Sequence, residues 1–226
     1  MGDAGPWNAA GGLPRLLDLC CGTGQLAAGL LDRGWAVVGL DGSNAMLERA
    51  RRRAPGARFA QADARAFDAA AREAGAPFDA VVCAFDSLNH LPDAAALAAC
   101  FACVRRALRP GGRFVFDVNM REGFEERFTG TLGFAADDLA CIVRADFDGL
   151  LGRYAVTTFR PAPDAAAGLW RRAEATLVQR CFEIGEVLTA LADAGFDDPT
   201  VLDAEEDLGM DGHVGRAVFV LDSPPA

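Results

Sequence analysis

From residue 15 to residue 119 the chain alternates short apolar runs with helical segments, and this alternation constrains the fold more than any other feature. Continuous apolar runs joined by helices are typical of parallel strands that are buried on both faces of a sheet. The sequence therefore predicts an α/β fold built on a doubly wound, mostly parallel, Rossmann-like sheet. We expect strands at 15–21, 35–41, 57–63, 78–85 and 113–119, and helices at 25–33, 44–54 and 93–108.

After residue 120 the helical periodicity gives way to an alternation of polar and apolar residues, which is typical of half-buried strands. Turns rich in Asp and Gly separate these segments, so we expect an antiparallel β meander inserted into the sheet domain. A helix and two last strands then complete the main sheet. The expected insert strands are 140–147, 153–160 and 170–182, followed by a helix at 183–194 and strands at 201–205 and 217–221.

The charge distribution excludes one class of partner. The net charge is −10, and all 22 basic residues are arginine. Residues 1–120 carry 13 arginines and 12 acidic residues, whereas residues 121–226 carry 9 arginines and 20 acidic residues. An acidic chain without a basic stripe lacks the surface that binds phosphate backbones, so we expect no nucleic-acid partner. No apolar run approaches the roughly 20 residues that span a bilayer, so no membrane partner is expected either. The oligomeric state stays open, a homodimer included.

The seven cysteines indicate a reducing compartment. Five of them lie in apolar strand-like runs, where a free thiol behaves as a small apolar side chain. Cys100 and Cys103 fall inside a predicted helix with no second pair of ligands at metal-binding spacing, so we expect no metal. The N-terminus lacks the charged and apolar regions of a signal peptide, and we therefore expect a cytoplasmic protein.

A glycine-rich turn, DLCCGTG at residues 18–24, joins the first strand to the first helix. Gly22 and Gly24 let the backbone approach a ligand where a Cβ would intrude. With Asp41 at the end of the second strand they also fit a dinucleotide fingerprint, so an NAD(P)-dependent oxidoreductase is an alternative. Asp18 argues against it, because a carboxylate before the turn repels a pyrophosphate but suits a cationic amino acid group. Aspartates end five predicted strands, where such sheets bind ligands: Asp18, Asp41, Asp63, Asp86 and Asp117.

Four of these elements occur in the order and spacing of a known family. The turn at 18–24, Asp41, Asp63 and the RPGG turn at 109–112 resemble those of class I S-adenosylmethionine-dependent methyltransferases, and the resemblance covers residues 15–119. It implies that S-adenosylmethionine is the cofactor. It also implies that Asp18, Gly22 and Gly24 line the methionine part of the cofactor.

The same resemblance assigns the rest of the cofactor site residue by residue. Asp41 would bind the ribose hydroxyls, with Gly42 allowing close approach. Met46 would pack near the adenine, whose amino group would donate to Asp63. The remaining expected contacts are the Ala64 backbone N–H on a ring nitrogen, and Ala84 and Phe85 beside the methionine chain.

Two features depart from the family pattern. The first glycine of the usual turn is Cys20 here, and only about 14 residues precede the first strand, where the family has one or two helices. We expect Trp7 and Asn8 to help close the pocket, or the pocket to be less covered. The predicted parts are an N-terminal segment at 1–14, a cofactor-binding core at 15–120, an antiparallel lid insert at 121–182 and closing elements at 183–226.

The acceptor site is less well defined by the sequence. Positioning supplies most of the rate of methyl transfer from a sulfonium, but a hydroxyl or ammonium acceptor still needs a base. His90 is the candidate base, and Asp86 and Asn89 are candidates to orient the acceptor. His90 could equally cap a helix or bind a backbone carbonyl. Candidate substrate contacts on the insert are Tyr154, Arg160 and Trp170, for which a solvated sheet face is the alternative.

These patterns predict a methyltransferase that acts on the N or O of a small molecule. The oxidoreductase alternative lacks the Tyr/Lys pair that such enzymes use, since the chain has no lysine. A non-catalytic partner subunit that binds the cofactor is the alternative outside enzymes, and the short N-terminus favours it. A protein or RNA methyltransferase is disfavoured by the lack of a basic groove.

Overall fold

The computed structural model describes residues 12–162 and 168–225, which form two β-sheets. The larger sheet contains β1 (Arg15–Leu19), β2 (Ala36–Asp41), β3 (Arg58–Gln61), β4 (Phe78–Cys83), β5 (Leu108–Asn119), β10 (Thr200–Asp203) and β11 (Arg216–Asp222). The smaller sheet contains β6 (Gly130–Ala136), β7 (Leu139–Phe147), β8 (Leu151–Pro161) and β9 (Trp170–Arg180). The helices are α1 (Gln25–Leu31), α2 (Asn44–Arg53), α3 (Asp68–Glu73), α4 (Ala94–Ala107), α5 (Arg121–Arg127) and α6 (Ile184–Asp193).

The strand order of the larger sheet identifies where a ligand binds. The order is β10-β11-β5-β4-β1-β2-β3, with β1 to β5 parallel and β11 antiparallel to both of its neighbours, β5 and β10. The predicted doubly wound, mostly parallel fold is therefore confirmed. The order reverses between β1 and β4, and open α/β sheets bind ligands at this reversal, beyond the carboxyl ends of the strands.

Aromatic packing fastens the last strand to the parallel core. The rings of Phe116 on β5 and Phe219 on β11 stack with centroids 4.7 Å apart, and Phe101 of α4 packs against Phe116 at 5.1 Å. All three side chains are buried, and burying each one stabilises the fold by about 2–3 kcal/mol. This packing fixes the position of Arg216, the first residue of β11, above the carboxyl end of β5.

The smaller sheet is an antiparallel meander in the order β6-β7-β8-β9. Phe124 and Phe128 of α5 attach it to the core, since they pack with Cys181 and with Phe147 and Tyr154 of the meander. The meander was predicted with three strands and has four. Its first strand, β6, has the sequence GTLGFAA and is exposed along its whole length, so it has no alternation of buried and exposed residues that would predict a strand.

Other differences from the prediction are local. The helices α3 and α5 were not expected, and both are short, with six and seven residues. β5 begins at Leu108 rather than at 113, because the segment predicted as a turn continues alongside β4 through a shift in register between Phe78 and Ala80. Trp7 and Asn8 lie outside the described residues, as does Asp164 of the predicted turn at 164–168.

Side chains cap the start of two helices. Ser43 accepts the Met46 backbone N–H at 3.4 Å at the start of α2. Asp93 accepts the Ala96 N–H at 2.8 Å at the start of α4. In the part of the chain that the structure describes, no helix is long and apolar enough to cross a membrane.

Candidate active site

Two adjoining cavities lie at the carboxyl ends of β1, β2 and β4. The larger has a volume of about 480 Å³ and the smaller about 230 Å³. Cys20 and Ser87 line both, so the two cavities form one cleft, which we call the donor cleft. The larger part is lined by Asp41, Gly42, Asp63, Ala64 and His90, among others, and the smaller part by Asp18, Gly22, Ala84 and Phe85.

Asp41 is fixed between the two turns that follow β1 and β2. Its Oδ2 accepts the Gly22 backbone N–H at 2.9 Å and its Oδ1 accepts the Ser43 N–H at 2.8 Å. Each carboxylate oxygen keeps a further lone pair for a ligand. The structure therefore places a rigid, doubly accepting group in the wall of the larger cavity, which suits a pair of neighbouring hydroxyl groups.

The two glycines of the turn have different surroundings. Both have a positive φ, 52° at Gly22 and 75° at Gly24. A Cβ on Gly24 would lie 3.0 Å from the Cα and Cβ of Ala50, so this glycine lets the turn pack against α2. A Cβ on Gly22 would meet no atom within 4 Å, because the position opens toward the smaller cavity that it lines. Gly22 is thus the position at which a ligand can contact the backbone.

Asp18 is a buried carboxyl group that lines the smaller cavity. Its Oδ2 has no hydrogen-bond partner among the described residues. Burial raises the pKa of Asp18 to about 7, although the Ala27 backbone N–H lowers it, and the charge of Asp41 raises it further. A buried carboxyl group without a partner suits a cationic ligand group, which would compensate the cost of its charge.

The remaining residues predicted to contact the ribose or the adenine lie in two places. Asp63, Ala64 and Gly42 line the larger cavity. Arg65 binds both carboxylate oxygens of Asp63, at 2.9 and 2.6 Å, and these hydrogen bonds lower the pKa of Asp63 to about 2. Met46 lies apart from the cavities: it is 40% exposed on α2 and does not line either of them.

The segment after β4 is strained at the edge of the cleft. Phe85 and Asp86 have φ values of 63° and 49°, in the left-handed region that non-glycine residues rarely adopt. Each such residue costs about 1–2 kcal/mol. Phe85 is 67% exposed and, with Ala84, lines the smaller cavity. Strain of this kind persists only where the surrounding structure enforces it.

Arg216 enforces the conformation of Asp86. Its guanidinium donates to Asp86 Oδ1 at 2.8 Å and also to Asp117 Oδ2. Asp117 Oδ2 in turn accepts the Asp86 backbone N–H at 3.0 Å. Burial raises the pKa of Asp117, against the lowering effect of the Arg216 charge. These three side chains form a network in which Arg216 and Asp117 are buried and Asp86 is partly buried. Asp86 and Asp117 end predicted strands, whereas Arg216 was not predicted.

Gln179 connects the meander to this network, and it was not predicted. Its Nε2 donates to Asp86 Oδ2 at 2.7 Å and lies 3.2 Å from His90 Nε2. His90 Nδ1 lies 3.1 Å from the Val178 carbonyl oxygen, which only accepts. The neutral imidazole therefore carries its proton on Nδ1, and its Nε2 lone pair accepts from Gln179.

Asn89 takes a different position from the other two catalytic candidates. It is fully buried, and its Nδ2 donates to the backbone carbonyls of Asn119 at 3.1 Å and Arg180 at 2.8 Å. Its Oδ1 accepts the Asn119 N–H at 2.9 Å. The amide is thus engaged within the fold and joins the end of β5 to the end of β9, and it does not line the donor cleft.

The three candidate substrate contacts are also separated. Tyr154 is half-buried, and its ring centroid lies 4.1 Å from that of Phe128. Burial raises the pKa of Tyr154, while the charge of Arg127 lowers it and that of Asp86 raises it. Tyr154 pairs with Leu177, two residues along β9 from Gln179, so Tyr154 and Gln179 lie on the same face of the meander. Arg160 and Trp170 are exposed at the opposite end of β8 and β9, about 20 Å from Tyr154 at the rise of a strand.

Comparisons with known proteins decide between the methyltransferase and its alternatives. Residues 16–112 match the family model described as a methyltransferase domain. YqeM of Bacillus subtilis (strain 168), whose name describes it as a methyltransferase, is 31% identical over 193 residues, which cover 80% of this chain and 73% of YqeM. The chain belongs to the class I S-adenosylmethionine-dependent methyltransferases. The oxidoreductase and partner-subunit alternatives find no support in these matches.

Further matches include proteins named for N- and O-methylation. The structure of CalS10 with bound S-adenosylmethionine, an amino pentose methyltransferase from Micromonospora echinaspora, is 30% identical with a TM-score of 0.71, covering 93% of this chain and 84% of that one. A dTDP-amino sugar N,N-dimethyltransferase of Streptomyces venezuelae is 36% identical over 45% of this chain and 41% of its own length. A ubiquinone biosynthesis O-methyltransferase of Alkalilimnicola ehrlichii is 39% identical over 45% of this chain and 40% of its own.

The donor cleft of this methyltransferase fits S-adenosylmethionine. The unpartnered Asp18 carboxyl suits the ammonium of the methionine part, the open position at Gly22 admits its chain, and Asp41 suits the ribose hydroxyls. When bound, the cofactor supplies an electrophilic methyl group on a sulfonium. The assignments of Asp18, Gly22 and Asp41 remain proposals that binding measurements test.

We expect the affinity of this methyltransferase for S-adenosylhomocysteine to depend on Asp18 protonation. Only the ionised Asp18 carboxylate attracts the ligand ammonium. Because the pKa of Asp18 is about 7, the carboxyl group of the free protein is mostly protonated at pH 6 and mostly ionised at pH 8. Binding should therefore be about tenfold weaker at pH 6 than at pH 8, measured by calorimetry. Asp18→Asn should bind weakly with no such slope. Asp63→Asn is the control, since the pKa of Asp63 is about 2 and the slope should persist. A slope retained by Asp18→Asn would contradict the assignment.

Proposed function

We propose that this methyltransferase transfers a methyl group to the amine nitrogen of a small-molecule acceptor, and that an amino sugar is the first class to test. The observation that carries the proposal is the contact of Asp86, Gln179 and His90 at the edge of the donor cleft. A carboxylate beside a neutral imidazole suits an acceptor that arrives as an ammonium. The carboxylate attracts the cation, and the imidazole takes the proton that blocks the nitrogen lone pair.

The relatives support an amine more than a hydroxyl acceptor. CalS10 is named as an amino pentose methyltransferase, and its structure matches most of this chain. The Streptomyces venezuelae relative is named for N,N-dimethylation of an amino sugar. The ubiquinone biosynthesis relative is named for O-methylation, and its match covers less than half of this chain. A hydroxyl acceptor is therefore the second candidate.

In this proposal His90 is the general base and acts through Nε2. The Val178 carbonyl keeps the other ring proton on Nδ1. A proton arriving at Nε2 would face the Gln179 amide N–H, so the amide must turn before the imidazolium is stable. Gln179 Oε1 is buried and has no hydrogen-bond partner among the described residues, and it would accept the new N–H after that rotation.

The acceptor would lie between this edge of the cleft and the meander. Tyr154 is the predicted substrate contact that lies on the same face of the meander as Gln179, and we propose that its phenol contacts the acceptor. Asn89 acts on this site only through the fold, by holding the ends of β5 and β9 together. Arg160 and Trp170 would contact only an acceptor long enough to extend along β8 and β9.

The test compares an amine with its hydroxyl analogue. Purified protein is incubated with S-adenosylmethionine and either an amino sugar linked to a nucleoside diphosphate or the same sugar with a hydroxyl, and S-adenosylhomocysteine is measured. We expect turnover with the amine. We also expect His90→Gln to lower kcat about 100-fold near pH 7 while S-adenosylhomocysteine still binds.

The chain offers a matched control in its other histidine, His213, which lies in the turn before β11 and donates its backbone N–H to Met210. His213→Gln should leave kcat unchanged. Turnover with the hydroxyl sugar alone would replace the amine with an O-methylation acceptor. Cofactor binding without turnover of either sugar would refute the amino-sugar class and leave the methyltransferase itself intact.

The state of the thiols supports a reducing compartment. All seven cysteines lie among the described residues, and each is a free thiol. We propose on this basis that the methyltransferase works in the cytoplasm.

A further inference from the structure

Cys20 occupies a backbone position that favours glycine. Its φ is 59°, in the left-handed region, where a non-glycine residue costs about 1–2 kcal/mol. In the sequence it stands where the first glycine of the family turn is expected. A glycine would remove this cost. Because strained residues cluster at functional sites, the strain at Cys20 suggests that its side chain has a function in the donor cleft.

The thiol of Cys20 has a partner in the neighbouring strand. β1 and β4 are adjacent and parallel, with Asp18 beside Val82, so the register continues to Leu19 beside Cys83, and Cys20 follows one residue further on. Cys20 packs against the buried cluster that contains Cys83. Cα atoms one residue out of register on adjacent strands are separated by about 6 Å, which lies within the range that a disulfide spans.

The two thiols differ in their access to the cleft. Cys20 is half-buried and lines both cavities, and it is the one cysteine of the seven that is not buried. Cys83 is fully buried, and the neighbouring Cys20 thiol and its burial hold its pKa well above the usual range. Cys21 is buried, and burial together with the charges of Asp18 and Asp41 raises its pKa. A small oxidant in the cleft therefore reaches Cys20 first.

We propose that Cys20 and Cys83 form an oxidation site, in which a peroxide converts the pair to a disulfide beneath the donor cleft. In the first step the Cys20 sulfur attacks one peroxide oxygen, the O–O bond breaks, and Cys20 sulfenic acid and water form. In the second step the Cys83 sulfur attacks the sulfenic sulfur, the S–S bond forms, the S–O bond breaks, and a second water leaves. Two thiols lose two electrons in total, and one peroxide is reduced to two waters.

The disulfide changes the shape of the cofactor site. An S–S bond of about 2.05 Å is far shorter than a non-bonded contact between two sulfur atoms, so closure draws Cys20 toward β4. Gly22, two residues further on, donates its N–H to Asp41, and the Cys21 N–H donates to the Leu40 carbonyl at 3.0 Å. Displacing Cys20 disturbs both contacts. We expect at least about tenfold weaker binding of S-adenosylhomocysteine, and we expect bound ligand to shield Cys20 from peroxide.

The experiment treats the purified full chain with hydrogen peroxide and measures intact mass, the disulfide peptide map and S-adenosylhomocysteine affinity by calorimetry. We expect a loss of about 2 Da, a Cys20–Cys83 linked peptide and weaker binding, all reversed by dithiothreitol. Bound S-adenosylhomocysteine should slow the mass change. Cys20→Gly should form no link, and its affinity should not respond to peroxide. Cys141→Ser, which alters a buried cysteine of the meander, should still form the link.

A second variant covers the case in which Cys20→Gly alters the turn. In Cys83→Ala the sulfenic acid has no partner, so peroxide should add about 16 or 32 Da to Cys20 instead of removing two hydrogens. Oxygen addition in the unsubstituted protein without a link, or a link that leaves the affinity unchanged, would overturn the proposal. Binding by the untreated protein tests the cofactor site separately, and the readouts require no acceptor.

Discussion

Asp41→Ala is expected to weaken S-adenosylhomocysteine binding about 100- to 10,000-fold. Two hydrogen bonds from ribose hydroxyls to a carboxylate contribute about 1.5–3 kcal/mol each when both are lost. The carboxylate is held in place by the Gly22 and Ser43 backbone N–H groups, so no other side chain can take its position without rearrangement of both turns. Calorimetric titration at pH 8, where Asp18 is mostly ionised, gives the affinity.

Two further variants separate ribose binding from the loss of the turn. Asp41→Asn keeps one acceptor oxygen and should be impaired less than Asp41→Ala, by about tenfold for the one lost charged hydrogen bond. Asp32→Ala, at the exposed end of α1, is the control and should bind normally. Urea unfolding shows whether the turn still folds. Full affinity in a folded Asp41→Ala protein would refute the assignment of the ribose site.

The cofactor half of the fold could be predicted because its signals are local. A strand buried on both faces has a continuous apolar run, and its polar end residue follows directly in the sequence. The apolar runs alone therefore place Asp41 and Asp63 at the edge of the sheet, without knowledge of which strands pair. In the structure both lie in the wall of one cavity. Met46 shows the limit of this reasoning. Helical spacing indicates which helix a residue belongs to but does not show whether its side chain faces the pocket.

The acceptor side could not be predicted because its contacts join distant parts of the chain. Arg216 reaches Asp86 across 130 positions and Gln179 reaches it across 93. Neither residue has a local motif, and each depends on long-range structure: Arg216 on the pairing of β11 with β5, and Gln179 on the contact of β9 with residues 87–90. Tyr154 and Arg160 lie on the same strand and on the same face of the meander. The sequence contains nothing that indicates which end of β8 approaches the core.

Arg216→Met is expected to lower the free energy of unfolding by about 3–5 kcal/mol at pH 7.5, because it leaves the buried carboxylate of Asp117 and the partly buried carboxylate of Asp86 without their cation. Only 10% of the Arg216 side chain and 9% of the Asp117 side chain are exposed, so solvent cannot replace the ion pairs. Arg172→Met removes an arginine from a pair with Glu174 that is more than half exposed, and it should cost less than about 1 kcal/mol. Urea unfolding measures both.

The pH dependence of this loss distinguishes an unpaired charge from lost packing. Burial already raises the pKa of Asp117 with Arg216 present, and removal of Arg216 takes away the charge that opposes this shift. A carboxyl group whose pKa is higher in the folded state binds its proton more tightly there. It therefore lowers the free energy of unfolding increasingly as the pH rises from its unfolded pKa to its folded pKa. Arg216→Met should therefore lose less stability at pH 5 than at pH 7.5. A loss of packing alone would lower the free energy of unfolding equally at pH 5 and at pH 7.5.

Asp117→Asn in the Arg216→Met background tests the same argument by a second route. An amide at position 117 carries no charge to desolvate, so the double variant should be more stable than Arg216→Met at pH 7.5 and should lose most of its pH dependence. The left-handed Asp86 would still lack its cation, and donation of its backbone N–H to position 117 would depend on the orientation of the new amide. A double variant no more stable than Arg216→Met would mean that the cation acts on Asp86 alone. In that case the strained segment after β4, rather than the buried carboxylate of β5, is what Arg216 stabilises.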